Sequence, residues 1–157
     1  MTQKVGQKFE KDFKDSVSGD MLCVRLKTRM TVYKGDNEIA DYLVYRHPSI
    51  FVFELKTTKE KRLPFDMIRS NQILGIQKAV KHFGVYGGIL VQFREPTYSH
   101  FYVPIEVLVE YIERGSKSIP ISDMHTHPKI IQVEFTQKRV TCKLNVDGLL
   151  KAIEEGK

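Results

Sequence analysis

Val5, Phe9, Phe13 and Val17 recur at every fourth position near the start of the chain. Their side chains share one face and predict a helix from about residue 5 to residue 17. From about residue 22 to 33 the pattern becomes β-like, and Lys34-Gly35-Asp36-Asn37 reads as a turn. A strand is expected over about residues 39–45, a turn over Arg46-His47-Pro48-Ser49, and then the most apolar strand of the chain, residues 50–56.

Pro64 is expected to open a helix, where its missing N–H costs little. Ile68, Ile76, Ala79, Val80 and Phe83 give that helix an apolar stripe, and Gly84 ends it. Residues 87–93 read as a buried strand and residues 100–104 as a shorter one, with Pro104 leading into a helix that Gly115 closes. Residues 115–128 are expected to form a loop. Residues 129–135 and 138–146 suggest a final hairpin with Thr136-Gln137 near its turn, and Asp147 is expected to cap a last helix. This order predicts a single domain over residues 1–157, an α/β sandwich built on a mixed sheet.

The hydrophobic content of 41% is enough for one core. No apolar run approaches the roughly 20 residues of a membrane helix, so no membrane partner is expected. The first residues lack the apolar segment of a secretory signal. Cys23 and Cys142 are therefore expected as reduced thiols in a cytoplasmic protein, of a bacterium or a phage-infected host. Lys and Arg number 25 against 19 Asp and Glu, a net charge of +6. That balance suits a polyanionic partner, most simply nucleic acid, as well as it suits a merely soluble basic protein.

Charged residues at the end of the most apolar strand change the picture. With a four-residue loop at 46–49, Tyr45 faces Ile50 and facing residue numbers sum to 95, which sets Asp41 opposite Glu54. Side chains so paired have Cβ atoms about 5 Å apart. Two carboxylates at that separation repel each other, and a sheet interior screens them poorly. A cation between them removes the conflict. Alternation puts Ile50, Val52, Glu54 and Lys56 on one face and Phe51, Phe53 and Leu55 on the other. Two hard carboxylate oxygens, with a backbone carbonyl such as that of Leu55, suit Mg²⁺, which keeps several waters and takes few protein ligands. Such an ion acidifies water and stabilises charge on phosphorus, and Lys56 stands where it can orient the water or offset that charge. The competing reading is a surface Glu–Lys pair with an unrelated aspartate, worth little to stability.

Three basic groups fit a nucleic-acid surface. Lys59, Lys61 and Arg62 follow Lys56 directly in a loop, and Arg25, Lys27 and Arg29 alternate on a strand as one stripe. Lys117 in Gly115-Ser116-Lys117-Ser118 adds one further phosphate contact. His125 and His127 lack a third ligand at metal-site spacing and read as part of a polar loop.

Asp41 followed by Glu54-Leu55-Lys56 on a buried strand resembles the PD-(D/E)XK nuclease superfamily, which shares the fold of type II restriction endonucleases. The likeness extends to the RecU-type Holliday junction resolvases, also called penicillin-binding-protein-related factor A. In that family thirteen positions likewise separate the aspartate from the glutamate, and a Thr/Lys-rich segment, a Phe-Pro-type pair and a glutamine-bearing helix follow, as residues 54–72 do here. Residues 84–93 and 115–120 resemble later segments of the family, and Val5-Gly6-Gln7-Lys8-Phe9-Glu10 resembles its first-helix motif.

The resemblance implies an α/β, restriction-endonuclease-like fold, a mixed central β-sheet flanked by helices. It implies Asp41 and Glu54 as Mg²⁺ ligands, with Mn²⁺ as a substitute, and Lys56 as the catalytic lysine. Gln72 is implied as a further metal-site or water-positioning residue, and Glu10 as an acid near the site. The implied activity is Mg²⁺-dependent, structure-selective cleavage of DNA in recombination and repair, resolving four-way junctions by paired incision as a homodimer, with a recombinase as a further partner. The alternatives are a related nuclease of flaps, ends or damaged duplex, and a DNA-binding or recombinase-modulating module. Two departures stand out. Ile39 occupies a position where the family often has Thr, and only 30 residues lie between Glu10 and Asp41, where cellular members carry a longer, stalk-forming insertion.

Overall fold

Residues 50–53 are apolar on both faces because both faces are covered, as for a strand inside a two-sided α/β sheet. The computed structural model describes residues 2–26 and 39–156. Its central sheet has the order β1 (Leu22–Arg25), β2 (Tyr42–Arg46), β3 (Ser49–Thr58), β5 (Val85–Phe93), β6 (Ser99–Pro104) and β8 (Ile131–Gln132). β3 and β5 run parallel, and the other neighbours are antiparallel. The mixed sheet flanked by helices is the architecture expected.

Phe51, Phe53 and Leu55 pack towards α1 (Thr2–Ser16) and α5 (Val146–Glu155), in a core with Phe9, Phe13, Leu149, Leu150 and Ile153. Val52 enters the opposite core with Ile76 of α2 (Ser70–Ala79), Ile89 and Val91 of β5, and Val107 and Leu108 of α3 (Ile105–Glu113). Glu54 and Lys56 lie on this second face, beyond Val52. Gly115 directly follows the α3 C-cap with φ of 84°, a left-handed conformation that favours glycine and stops that helix. α2 has already ended at Ala79, so Gly84, with φ of 79°, shapes the turn into β5 rather than ending the helix as expected.

Several expectations are corrected. Pro64 does not open α2. It ends β4 (Arg62–Pro64), which pairs with β7 (Ser118–Pro120), and a 3-10 turn (Phe65–Met67) separates it from α2. Residues 115–128 are not a loop: after β7 comes α4 (Ile121–Thr126), on which the His125 ring meets Phe101 edge-on. Ile68 is buried before α2 begins, and Phe83, beyond its end, is fully exposed rather than part of its stripe. Asn145, not Asp147, caps α5, its Oδ1 accepting from Gly148 N–H at 3.0 Å. The final hairpin is β9 (Phe135–Gln137) with β10 (Cys142–Leu144), turning over residues 138–141 rather than at Thr136-Gln137. The turn at 34–37, with Lys27 and Arg29 of the basic stripe, lies outside the described residues. Cys23 and Cys142 are free thiols, both pushed up in pKa by burial. Among the described residues no helix is long and apolar enough to cross a membrane.

Candidate active site

The β2–β3 hairpin creates the site. Its register pairs Tyr45 with Ile50 and Tyr42 with Phe53, so facing numbers sum to 95 as the sequence reading requires. Asp41 is one step beyond the last pair. Its N–H donates to the Phe53 carbonyl at 3.1 Å, but the chain bends there. Its carboxylate therefore turns along β3 and accepts from Leu55 N–H at 2.8 Å through Oδ2. Asp41 thus grips the Glu54–Leu55 peptide instead of standing squarely opposite Glu54.

Glu54 is 2% exposed. Its Oε1 accepts from Lys56 Nζ at 3.0 Å and from Gln72 Nε2 at 2.9 Å. Its Oε2 is buried without any hydrogen-bond partner. Burial and the charge of Asp41 push the Glu54 carboxyl up to about 7, against the opposing pull of Lys56 and Gln72. One carboxylate held out of water beside another, with one oxygen open, matches the donor chemistry of a hard divalent cation. The residues fit Mg²⁺, and an ion there removes the repulsion that raises the pKa. Among the described residues no group of three or more His, Cys, Asp or Glu forms a metal cluster.

Gln72 reaches Glu54 because it is the third residue of α2. Its Oε1 accepts from Arg69 N–H at 3.1 Å, capping the helix, while its Nε2 faces Glu54. One side chain ties the α2 N-terminus to the carboxylate. Ile39 anchors the same helix: a Cβ on Gly75 would collide with its side chain. An apolar contact thus takes the place two residues before Asp41. Glu10 pairs with Arg25 at 3.0 Å on the neighbouring elements α1 and β1, close enough to Tyr42 for its charge, like that of Asp41, to raise the tyrosine pKa beyond the larger effect of burial.

The basic loop is exposed at Lys59, Lys61 and Arg62. β4 and β7 connect it to Lys117: Ile121 N–H donates to the Lys61 carbonyl at 2.9 Å, and Phe65 N–H donates to the Lys117 carbonyl at 3.0 Å. The cations sit at the two ends of one three-residue ladder, roughly 10 Å apart. Arg94 and Tyr98, which sequence reasoning passed over, belong to the same end of the sheet, since Arg94 N–H donates to the Thr58 carbonyl at 2.9 Å.

The raised Glu54 pKa carries a stability prediction. Between about 4.5 and 7 the folded state binds more protons at Glu54 than the unfolded state does, so this site loses stability as pH rises through that window. In EDTA, Glu54→Gln is expected to raise Tm at pH 8, by at most about 3 kcal/mol of stability, and to leave it nearly unchanged at pH 4.5. His100 acts in the opposite sense. It is fully buried, its Nδ1 has no partner, and burial lowers its pKa to about 4. Below the ordinary value of 6.5 the unfolded state takes up the proton first, so stability falls with acidification. Thermal melts of Glu54→Gln from pH 6.5 to 4 are expected to show this fall more steeply than melts of the parent chain. A Glu54→Gln variant less stable than the parent at pH 8 would contradict the assignment of a repelled carboxylate.

The sequence matches the family described as RecU, Recombination protein U, over residues 20–143. A relative, the SPbeta prophage-derived uncharacterized protein YotM of Bacillus subtilis (strain 168), is 33% identical over 72 residues, 45% of this chain and 37% of that protein. The chain thus aligns with little more than a third of that relative's length. Among solved structures, Archaeoglobus fulgidus Hjc, a Holliday junction resolvase from an archaeal hyperthermophile, superimposes with a TM-score of 0.48 and 14% identity, over 64% of this chain and 78% of that one. The Recombination protein U match takes in β2, β3 and α2, and with them Asp41, Glu54, Lys56 and Gln72. The chain belongs to the Recombination protein U family.

Proposed function

We propose that this protein is a Mg²⁺-dependent, structure-selective DNA endonuclease that resolves four-way junctions by paired symmetric incision. The observation that carries the reading is the buried Glu54 carboxylate, with an open Oε2 beside Asp41 and with Lys56 on the same strand face. Asp41 and Glu54 would hold the cation, with Mn²⁺ as a substitute. When bound, it supplies Lewis acidity towards the phosphodiester and acidifies water.

The chain's own groups do the rest. Lys56, 19% exposed at its side chain, reaches from the buried carboxylate towards solvent. There it orients water or meets negative charge on the phosphate. Gln72 fixes the Glu54 rotamer and, with its Oε1 held by Arg69, serves positioning in preference to ligation. Glu10 serves through Arg25, shaping the α1–β1 edge of the site. Lys59, Lys61, Arg62 and Lys117 contribute affinity for phosphates without sequence preference. Paired incision needs two centres, and each chain supplies one, so the active species is a homodimer.

The test uses a mobile four-way junction, a flap and a matched duplex, each incubated with purified protein and Mg²⁺. Paired nicks on the junction in preference to the other two support resolution. Preferential cutting of the flap or the duplex would replace it with a different nuclease specificity. Binding without cutting would leave a DNA-binding module.

A further inference from the structure

We infer that the β5–β6 loop, residues 94–98, is a second wall of the DNA cleft, in which Arg94 holds a phosphate and Tyr98 stacks on a base face unstacked at a branch. The inference rests on the nuclease reading above and adds two residues and a substrate feature to it.

The strand ends are aligned. Thr58, Phe93 and Ser99 form one row across β3, β5 and β6, so the loops that follow Thr58 and Phe93 leave the sheet at the same end. Their first residues are joined by the Arg94 N–H to Thr58 carbonyl bond. Thr58 is two residues past Lys56, roughly 7 Å along the strand. That is about two phosphates at 3.4 Å of helix axis each. A DNA strand crossing Lys56 therefore meets both loops within a few nucleotides.

Each residue also carries its own sign of an unfilled role. Arg94 is half-buried, and its Nε is buried with no hydrogen-bond partner. A buried, unpaired guanidinium donor is costly, and a phosphate oxygen satisfies it with a charge-assisted bond. Tyr98 is 44% exposed, in the loop between β5 and β6. A partly exposed aromatic ring in a loop that leaves the sheet beside the basic loop after Thr58 has the chemistry of a base-stacking platform. The two loops also contain the acids Glu60 and Glu95, of which Glu60 is paired with Arg62 at 3.3 Å. Lys59, Lys61, Arg62 and Arg94 still outnumber them.

A duplex presents no open base face, so Tyr98 should distinguish branched from unbranched DNA, whereas Arg94 should not. The experiment measures binding of the full chain to a four-way junction and a matched duplex by fluorescence anisotropy, with Ca²⁺ to prevent cleavage. Tyr98→Ala is expected to weaken junction binding roughly 5- to 100-fold while changing duplex binding by less than about twofold. Tyr98→Phe, which keeps the ring, should bind both as the parent does. Arg94→Ala should weaken both alike and reduce the slope of log affinity against log salt by about 0.9. Unchanged thermal melts show that the variants fold. Junction affinity unchanged in Tyr98→Ala, or junction and duplex weakened equally, would overturn the stacking role. An unchanged salt slope in Arg94→Ala would overturn the phosphate role. A parent chain that binds neither DNA would overturn the nuclease reading, and the inference with it.

Discussion

Asp41→Ala and Glu54→Ala are each expected to abolish DNA cleavage and to leave DNA binding intact. Each removes oxygen donors from the Asp41–Glu54 pair, and a hard divalent cation that loses one of these two carboxylates would be held less firmly. Without the ion the phosphodiester loses its Lewis acid, an effect worth several kcal/mol in the transition state. Binding should persist, because both carboxylates repel phosphate and neither is among the basic groups of the surface. The two variants differ in what they do to the fold. Glu54→Ala relieves an unfavourable buried charge, though it opens a small void. Asp41→Ala also removes the acceptor of the Leu55 N–H, a 2.8 Å bond inside the hairpin. A buried donor left unpaired costs about 1–3 kcal/mol, so Asp41→Ala should melt at lower temperature than Glu54→Ala. Single-turnover cleavage and gel-shift titration of the same preparations check the first expectation, and thermal melts check the second.

Lys56→Met should lower the single-turnover cleavage rate at least about a hundredfold, comparable to removal of a pre-organised transition-state donor, with little change in junction affinity measured in Ca²⁺. An ammonium has no lone pair and cannot ligate a metal. In the resting site it is bonded to Glu54 Oε1 at 3.0 Å. With Asp41 and Glu54 holding a cation, Lys56 would be free to meet water or phosphate, and its contribution would arise mainly in the transition state. Loss of such an interaction lowers rate rather than binding. Methionine keeps the stem, and hence the packing, while removing the charge. If affinity collapsed and the rate at saturation survived, Lys56 would be a phosphate-binding lysine instead.

The hairpin that builds the site was legible because it obeys local rules. Period-two alternation and a short turn fix the register, and the observed pairs Tyr45 with Ile50 and Tyr42 with Phe53 follow from them. The same alternation put Glu54 and Lys56 on one face, where they form their ion pair. What was not legible depends on distant partners. Residues 62–64 become a strand only because residues 118–120, over fifty positions later, supply the other half of the ladder. Pro64 at the head of a helix is the natural local reading, and a non-local pairing overrides it. The bend at Asp41 is another such case: the register alone gives a facing carboxylate, but the acceptor-seeking Leu55 N–H turns it along the strand. Asn145 and Asp147 are both good capping residues, and two positions of sequence do not decide between them.

Gln72 has no signal of its own in the residues. A glutamine three positions after a helix N-cap fits half of a capping box, but Arg69 at the cap does not complete the pattern. Resemblance to known nucleases drew attention to it, and the hydrogen bond to Glu54 explains why a glutamine belongs there. Arg94 and Tyr98 stand in a loop without periodicity, and its place beside the loop after Thr58 comes from the register of β3, β5 and β6 and from the bond of Arg94 to Thr58.

The most direct test is strand scission of a four-way junction labelled in turn on each strand, with the parent chain and Glu54→Gln in parallel, in Mg²⁺ and in EDTA. The expected result is nicks at symmetric positions on two opposing strands, seen only with the parent chain and only in Mg²⁺. Incision that persists in Glu54→Gln or in EDTA would contradict the assignment of Asp41, Glu54 and Lys56 as a metal-dependent nuclease centre.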